Sequence, residues 1–316
     1  MKLRSIFVLT VISIGSQAHA EFVENTDITS YVNSLIEKNK TITIPDGNYL
    51  VSATKSIQLK DNSTLKLSPN TVLNVIPTSS GSYRVFKIRN VKNVNISGGK
   101  IIGDKYTHLG ETGEWGMGIE IRDSQNISIS NISIDKMWGD AIYVGTNGKN
   151  STYNISLKNI RMNDNRRQGI SIISVNKLLA SNITATNTSG AMPASGIDIE
   201  PNNGSMILKN IVLKNIKTSG NQGSGIQIGL SRYDNSTKPL SITIENHQDA
   251  NSGHGLLLGA INKKAIGTMS IQSNSSGNCF NAWSNNSIKV DIVGATNISN
   301  SKGCNGHLRN SSISLK

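Results

Sequence analysis

A short phrase that keeps returning constrains this chain more than any other feature. It reads Gly118-Ile119-Glu120-Ile121, Ala141-Ile142-Tyr143-Val144, Gly169-Ile170-Ser171-Ile172, Gly196-Ile197-Asp198-Ile199, Gly225-Ile226-Gln227-Ile228 and Gly255-Leu256-Leu257-Leu258. Successive copies start 23, 28, 27, 29 and 30 residues apart. Each alternates an aliphatic residue with a variable one, the period-two pattern of a strand with one buried side. A strand that returns at such intervals is the mark of a solenoid, because one unit cannot bury its own apolar face and must stack on the next. The variable residues of successive copies are expected to form an outward column, and chemistry is to be sought there.

A second phrase lies between copies of the first. It carries Asn131 in Ile127–Ile132, Asn159 in Ile155–Ile160, Asn182 in Leu178–Ile183 and Asn210 in Met206–Ile211, with the asparagines 28, 23 and 28 residues apart. Asparagine tolerates left-handed backbone and its side-chain amide can pair with a copy above and below. A stacked amide ladder at one bend of every coil is therefore expected. Two strand phrases per coil, with a third expected, predict an all-β chain. Its fold is a single-stranded right-handed parallel β-helix of about ten to twelve coils, each rising about 4.8 Å, its hand set by the crossover rule. Ahead of it, Asp27–Lys38 reads as a short helix capped by Asp27 or Thr29, with Ile28, Val32, Leu35 and Ile36 on one face. Such a helix would cover the open end of the stacked core.

Residues 1–20 read as a signal peptide. Lys2 and Arg4 begin it, Ile6 to Ile14 is apolar, and Ala18-His19-Ala20 is a small-residue cleavage site. The run is too short for a stable membrane anchor. The chain is thus divided into a signal peptide (1–20), an N-terminal cap (21–40) and a β-helix (41–316). A periplasmic or secreted location follows, after cleavage near Ala20. The formal net charge is +12, of which Lys2 and Arg4 carry two. A basic exported protein suits an acidic polysaccharide. No basic stretch is interleaved with aromatics, which argues against nucleic acid. Cys279 and Cys304 lie 25 residues apart, one coil. In an oxidising compartment they are expected to form a disulfide, with two free thiols as the alternative. Two cysteines, and histidines without partners at ligand spacing, predict no metal site.

Thr43-Ile44-Pro45-Asp46-Gly47-Asn48-Tyr49-Leu50 resembles the opening strand of the pectate-lyase-like β-helix superfamily, which includes polygalacturonases and phage tailspike depolymerases. Asn165–Ser171 together with Gly196–Asn202 is similar to a pattern in secreted bacterial members. The resemblance spans about residues 40–315 and implies the architecture. It leaves monomer and homotrimer both open, since tailspike relatives are trimeric. The polygalacturonase motifs Asn-Thr-Asp, His-Gly and Arg-Ile-Lys are not found as a set, so no mechanism transfers from that family.

Glycoside hydrolysis uses two carboxyl groups. Asp198 and Glu200 stand two apart on one strand phrase and so share a face, about 6.5–7 Å between α-carbons. Asp140, two coils earlier, is the reserve member of this catalytic set. Arg166 and Arg167, one coil from the acids, are expected either to grip a sugar carboxylate through their forks or to pair with Asp198 or Glu200. Gln168 is expected on sugar hydroxyls or in a polar ladder. Trp138 and Tyr143 are expected to offer rings to sugars or to pack against a loop. Glu120, in the same column, is a substrate contact at best. The reading that results is a secreted glycoside hydrolase needing no cofactor. A lyase comes second, with calcium held by Asp140, Asp198 and Glu200 and with Arg167 or Lys136 as base. A non-catalytic carbohydrate-binding or adhesion β-helix is the competing class.

Overall fold

The computed structural model describes residues 22–148, 151–235, 238–281, 287–295, 297–299, 304 and 313–316. The expected signal peptide lies outside the described residues.

The helix runs Thr29–Lys38, starting two residues later than the sequence predicts. Ile28 occupies the capping position, while the Asp27 carboxylate accepts the Thr29 amide at 2.9 Å. Ile28, Val32 and Ile36 are buried in the core at the solenoid's first coil.

Strands beyond it pair in parallel and form two sheets. In the larger, Thr41–Ile44, Thr64–Leu67 and Lys92–Ser97 lead into the long strands Gln125–Asp135, Tyr153–Asn163, Val175–Thr186, Leu208–Ser219 and Leu240–Ala250. The smaller sheet stacks the Gly-Ile-x-Ile phrases: Trp115–Arg122, Asp140–Gly145, Gln168–Ile172, Ser195–Ile199, Ser224–Leu230 and His254–Ile261. This is a right-handed parallel β-helix.

Each long strand contains the third strand phrase. In Gln125–Asp135 the buried positions are Ile127 and Ile129, then Ile132 and Ile134. The alternation slips at Asn131, whose φ of 54° bends the strand. Asn159, Asn182, Asn215 and Asn246 repeat that left-handed bend, and each donates its side-chain amide to the asparagine one coil before at 2.8–3.1 Å. Asn210 is corrected out of this ladder. Leu208–Ser219 holds the Leu-Lys-Asn-Ile string twice, and its register places Asn215, not Asn210, over Asn182. Asn210 instead bonds Asn176 on a separate bend.

Glycine heads the recurring phrase for a steric reason. A Cβ on Gly169 would sit 2.3 Å from the Gly196 carbonyl oxygen, and one on Gly196 would sit 2.7 Å from that of Gly225. Head position and following isoleucine both face inward, as Ala141 and Ile142 do in the core. The residue before the head therefore faces outward with the variable one, which puts Asp140 beside the outward column.

Cys279 and Cys304 are bonded, with Cα atoms 4.5 Å apart. Thiol titration of the unfolded, unreduced protein is expected to find no reactive cysteine, and two titratable thiols would contradict this. Closing a loop of this length is worth about 3 kcal/mol.

Candidate functional site

The strand register assembles the expected column. Glu120, Tyr143, Ser171, Asp198 and Gln227 align on successive coils of the smaller sheet. Asp140 and Gln168 align in the flanking column, followed by Ser195. The surface they were expected to form is not open, however. Glu120, Asp140, Gln168, Ser171 and Asp198 are each 0–1 % exposed. Stacked side chains and overlying loops cover them. Met206, from the loop after Glu200, packs with Met117, Tyr143 and Ile173. Residues 113 and 114 reach Arg166 and Arg167 from the loop before Trp115.

Asp198 is the distinctive member. The Gln168 amide donates to its Oδ2 at 3.1 Å, while its Oδ1 is buried with no hydrogen-bond partner. Gln168 is itself fixed, because its Oε1 accepts the Ser195 amide at 3.2 Å. Burial, then the charge of Glu200, push the Asp198 carboxyl well above the usual carboxylate range, and Arg167 only partly opposes them. Glu200 lies just beyond the end of its strand and is half-buried. Its side chain extends over Gly229 of the next coil, 3.6 Å from where a Cβ would stand. The predicted pair is thus placed unequally, one acid buried and one within reach of solvent.

Asp140 is tied into an ion-pair network. Arg167 Nη1 donates to both its oxygens at 3.2 Å, and Ser171 Oγ donates at 2.9 Å. Burial raises its carboxyl, against the pull of Arg167 and Ser171. Arg167 Nε stands 3.5 Å from Glu114 Oε2. The expected Arg167 partners, Asp198 and Glu200, are replaced by Asp140 and Glu114, because the arginine turns back toward the preceding coil.

Trp138 cannot serve as the open ring that was one expectation for it. Arg166 covers one face at 3.8 Å and His108 stacks at 3.8 Å with a 16° interplanar angle. Arg166 is engaged further by the carbonyls of Gly113 and Trp138. Tyr143 is 6 % exposed with Arg122 over its ring at 4.1 Å, so it too packs against cover. Glu120 as a substrate contact is corrected on the same ground. It is fully buried and accepts from Arg84, Arg89 and Arg122. The open aromatic on this face is Trp115, 50 % exposed, next to Glu114.

Sequence reasoning missed the arginines around Glu120. Arg122 carried a signal, being two residues from Glu120 and so on its face, whereas Arg84 and Arg89 come from the preceding coil, where no repeat phrase marks them. It also missed the Asp104–His108 contact, in which His108 Nδ1 lies 2.8 Å from Asp104 Oδ2.

The three acids do not fit a calcium ion. Asp140 is committed to Arg167 and Ser171, and Asp198 Oδ2 to Gln168, whereas calcium needs several available carboxylate oxygens. His254, Cys279 and Cys304 place potential ligand atoms within 4.8 Å of one another, but both sulfurs are bonded to each other. His254 heads a His-Gly pair two coils beyond Asp198, and the chain's Asn-Thr-Asp string, Asn25–Asp27, lies in the N-terminal cap. Neither stands with the acids.

The buried groups predict acid lability. Burial opposes ionisation of Glu120, but hydrogen bonds from Arg89 and the charges of Arg84 and Arg122 outweigh it and hold the carboxyl at about 2. Its stabilisation is present above the unfolded value near 4.5 and is lost as pH falls toward 2. Burial lowers His247 to about 4, and it stays neutral between Thr218 Oγ1 and Ser273 Oγ. The unfolded chain takes up that proton first, so stability also falls as pH drops from 6.5 through 4. Denaturant titrations across this range are expected to show both windows, and His247→Gln is expected to remove only the upper one. Asp198 acts in the opposite sense, stabilising most in acid and less as pH rises through its raised value.

The molecule is, by fold, a right-handed parallel β-helix with a buried acidic column. No family model matches the chain. It is 29 % identical over 223 residues to the uncharacterized protein YclG of Bacillus subtilis, covering 61 % of this chain and 38 % of that one. Among solved structures it is similar to the tailspike gp49 of Acinetobacter baumannii bacteriophage Fri1, a capsular polysaccharide depolymerase. That match has a TM-score of 0.61 at 15 % identity and covers 87 % of this chain and 57 % of that one. It is also similar to PfbA, a surface adhesin of Streptococcus pneumoniae, with a TM-score of 0.62 at 15 % identity over 92 % of this chain and 80 % of that one. This chain spans well under two thirds of the length of YclG and of the tailspike.

Proposed function

We propose that this protein is an exported enzyme acting on an acidic polysaccharide, and specifically a glycoside hydrolase centred on Asp198 and Glu200. The observation that carries this reading is the Asp198 carboxyl, buried, biased toward its protonated form, and left with one unpartnered oxygen. A carboxyl group whose surroundings favour its protonated form is what protonation of a glycosidic oxygen requires. Glu200, half-buried over Gly229, is the second carboxyl, acting on water or on the sugar. Gln168 holds Asp198 by Oδ2, which leaves Oδ1 as the oxygen available to carry and deliver a proton. Arg167 and Asp140 form the charged backing of the site, and Asp140 is the reserve acid. Trp115 supplies an open ring for a sugar face.

The lyase reading has less support. Arg167 is paired with Asp140 and Glu114, which raise its pKa against burial, and an arginine so held is a poor base. Lys136 is exposed beside the Tyr106 ring, 5.9 Å away. A second reading, non-catalytic glycan binding, is favoured by one observation: Asp140 and Asp198 both lie beneath the surface. Digestion of a panel of polysaccharides, followed by reducing-end and ultraviolet assays in parallel, separates these. A hydrolase yields reducing ends alone, a lyase adds an absorbing unsaturated product, and a binder yields neither.

No helix among the described residues is long and apolar enough to cross a membrane. Export itself rests on the leader at residues 1–20.

A further inference from the structure

We infer that the cluster of Arg84, Arg89 and Arg122 around Glu120, with Lys87 beside it, is a preformed subsite for an anionic group of the substrate. This rests on the reading that the face takes a glycan, and it identifies that glycan as a charged one. The arginines come from two adjacent coils. Arg84, Lys87 and Arg89 lie on Ser82–Arg89, and Glu120 and Arg122 on the next strand, with Lys87 in register with Glu120.

The cluster is under-neutralised. Arg84 and Arg122 each reach Glu120 Oε1 through Nε at 2.9 Å, and Arg89 reaches it through Nη2 at 2.7 Å and also pairs with Oε2. Asp123 lies close enough to influence Arg89. Four cations thus face two carboxylates. Asp123 is partly spent on the Asn147 amide, at 3.1 Å.

It is also preorganised. Glu120 engages Arg84 and Arg122 through Nε, and their Nη1 nitrogens bond other groups. Arg84 Nη1 is steadied by Ser82 Oγ at 3.0 Å and Arg122 Nη1 by Asn147 Oδ1 at 3.2 Å. Among the described residues, no hydrogen bond engages Arg84 Nη2 or Arg89 Nη1. The three side chains keep 18, 28 and 15 % exposure while Glu120 keeps none. Held guanidinium groups with free N–H edges bind carboxylate or sulfate well, since little side-chain entropy remains to be lost. Glu120 lies three coils from Asp198 in the same column, about 14 Å at the strand spacing, a span of a few sugar units. For Arg166 and Arg167 the sequence left sugar-carboxylate recognition and ion pairing both open; Arg166 bonds the Gly113 and Trp138 carbonyls and Arg167 pairs with Asp140 and Glu114.

The test is calorimetric titration of the full-length mature protein with a galacturonate tetrasaccharide, a sulfated galactan tetrasaccharide and a neutral cello-tetraose. Titrations are run at low and at raised salt. Tighter binding of one or both charged probes, weakened by salt, is expected. Arg84→Gln is expected to weaken charged-probe binding about tenfold, on the scale of one charge-assisted hydrogen bond. That variant also loosens the Glu120 contacts, so Lys87→Gln, which leaves them in place, is the second arm. It is expected to lose a few-fold in affinity at unchanged melting temperature. Equal binding of charged and neutral probes, or unchanged affinity in both folded variants, overturns the inference. Charged-probe binding without any turnover supports it while overturning the hydrolase reading, so the two can fail separately.

Discussion

Glu120→Ala is expected to destabilise the protein by about 3–5 kcal/mol, because it leaves Arg84, Arg89 and Arg122 packed together without the carboxylate that holds them. Glu120 is fully buried, so water cannot replace it without a rearrangement of the coil. A carboxyl at about 2 in the fold and near 4.5 in the unfolded chain is by itself worth about 3 kcal/mol at neutral pH. A loss of this size is a large share of the roughly 5–15 kcal/mol that stabilises a typical domain. Glu120→Gln keeps the volume and removes the charge, and is expected to retain most of the loss. Glu200→Gln, at a half-buried position, is the control and is expected to change stability by less than about 0.5 kcal/mol. Denaturant unfolding at neutral pH measures all three. Equal stability of the wild type and both Glu120 variants would mean that the arginines relax into solvent unaided.

Asp198→Asn is expected to lower turnover at least a hundredfold, the typical cost of removing a general acid, without lowering the melting temperature. The two halves of that expectation share one cause. The fold disfavours the charged form of Asp198, and an asparagine resembles the neutral form in size and polarity while its carbonyl can still accept from Gln168. A surface acid would give no loss of turnover, and a structural ion-pair partner would give a loss of stability. The wild-type rate is further expected to fall as pH rises through the raised value of Asp198, as the acid form disappears. If only Asp140→Asn abolishes activity, the column is right and the pair within it is wrong.

The solenoid was legible because its physics is periodic. Gly-Ile-x-Ile repeats once per coil, since the glycine avoids the next coil's carbonyl and the isoleucines fill the core. The disulfide was legible from one-coil spacing in the same way. The asparagine ladder was half legible, because Leu208–Ser219 offers two equivalent strings and only the register separates Asn215 from Asn210. The site was less legible. Period two says which residues leave the core but not what then covers them. Trp138, Tyr143 and Glu120 do face outward, yet each meets a second layer drawn largely from other coils: His108 and Arg166 on Trp138, Arg122 on Tyr143, and Arg84 and Arg89, joined by Arg122 of its own strand, on Glu120. Apart from Arg122 beside Glu120, those contacts join residues 21 to 36 apart through side-chain reach, and loops of irregular length set that reach.

The measurement that bears most directly on this account is a parallel assay of reducing ends and ultraviolet absorbance during digestion of acidic polysaccharides by wild type, Asp198→Asn and Glu200→Gln. New reducing ends without an absorbing product, lost in both variants while both remain folded, is the predicted result. An unsaturated product, wild-type rates in the variants, or tight binding with neither signal would contradict it.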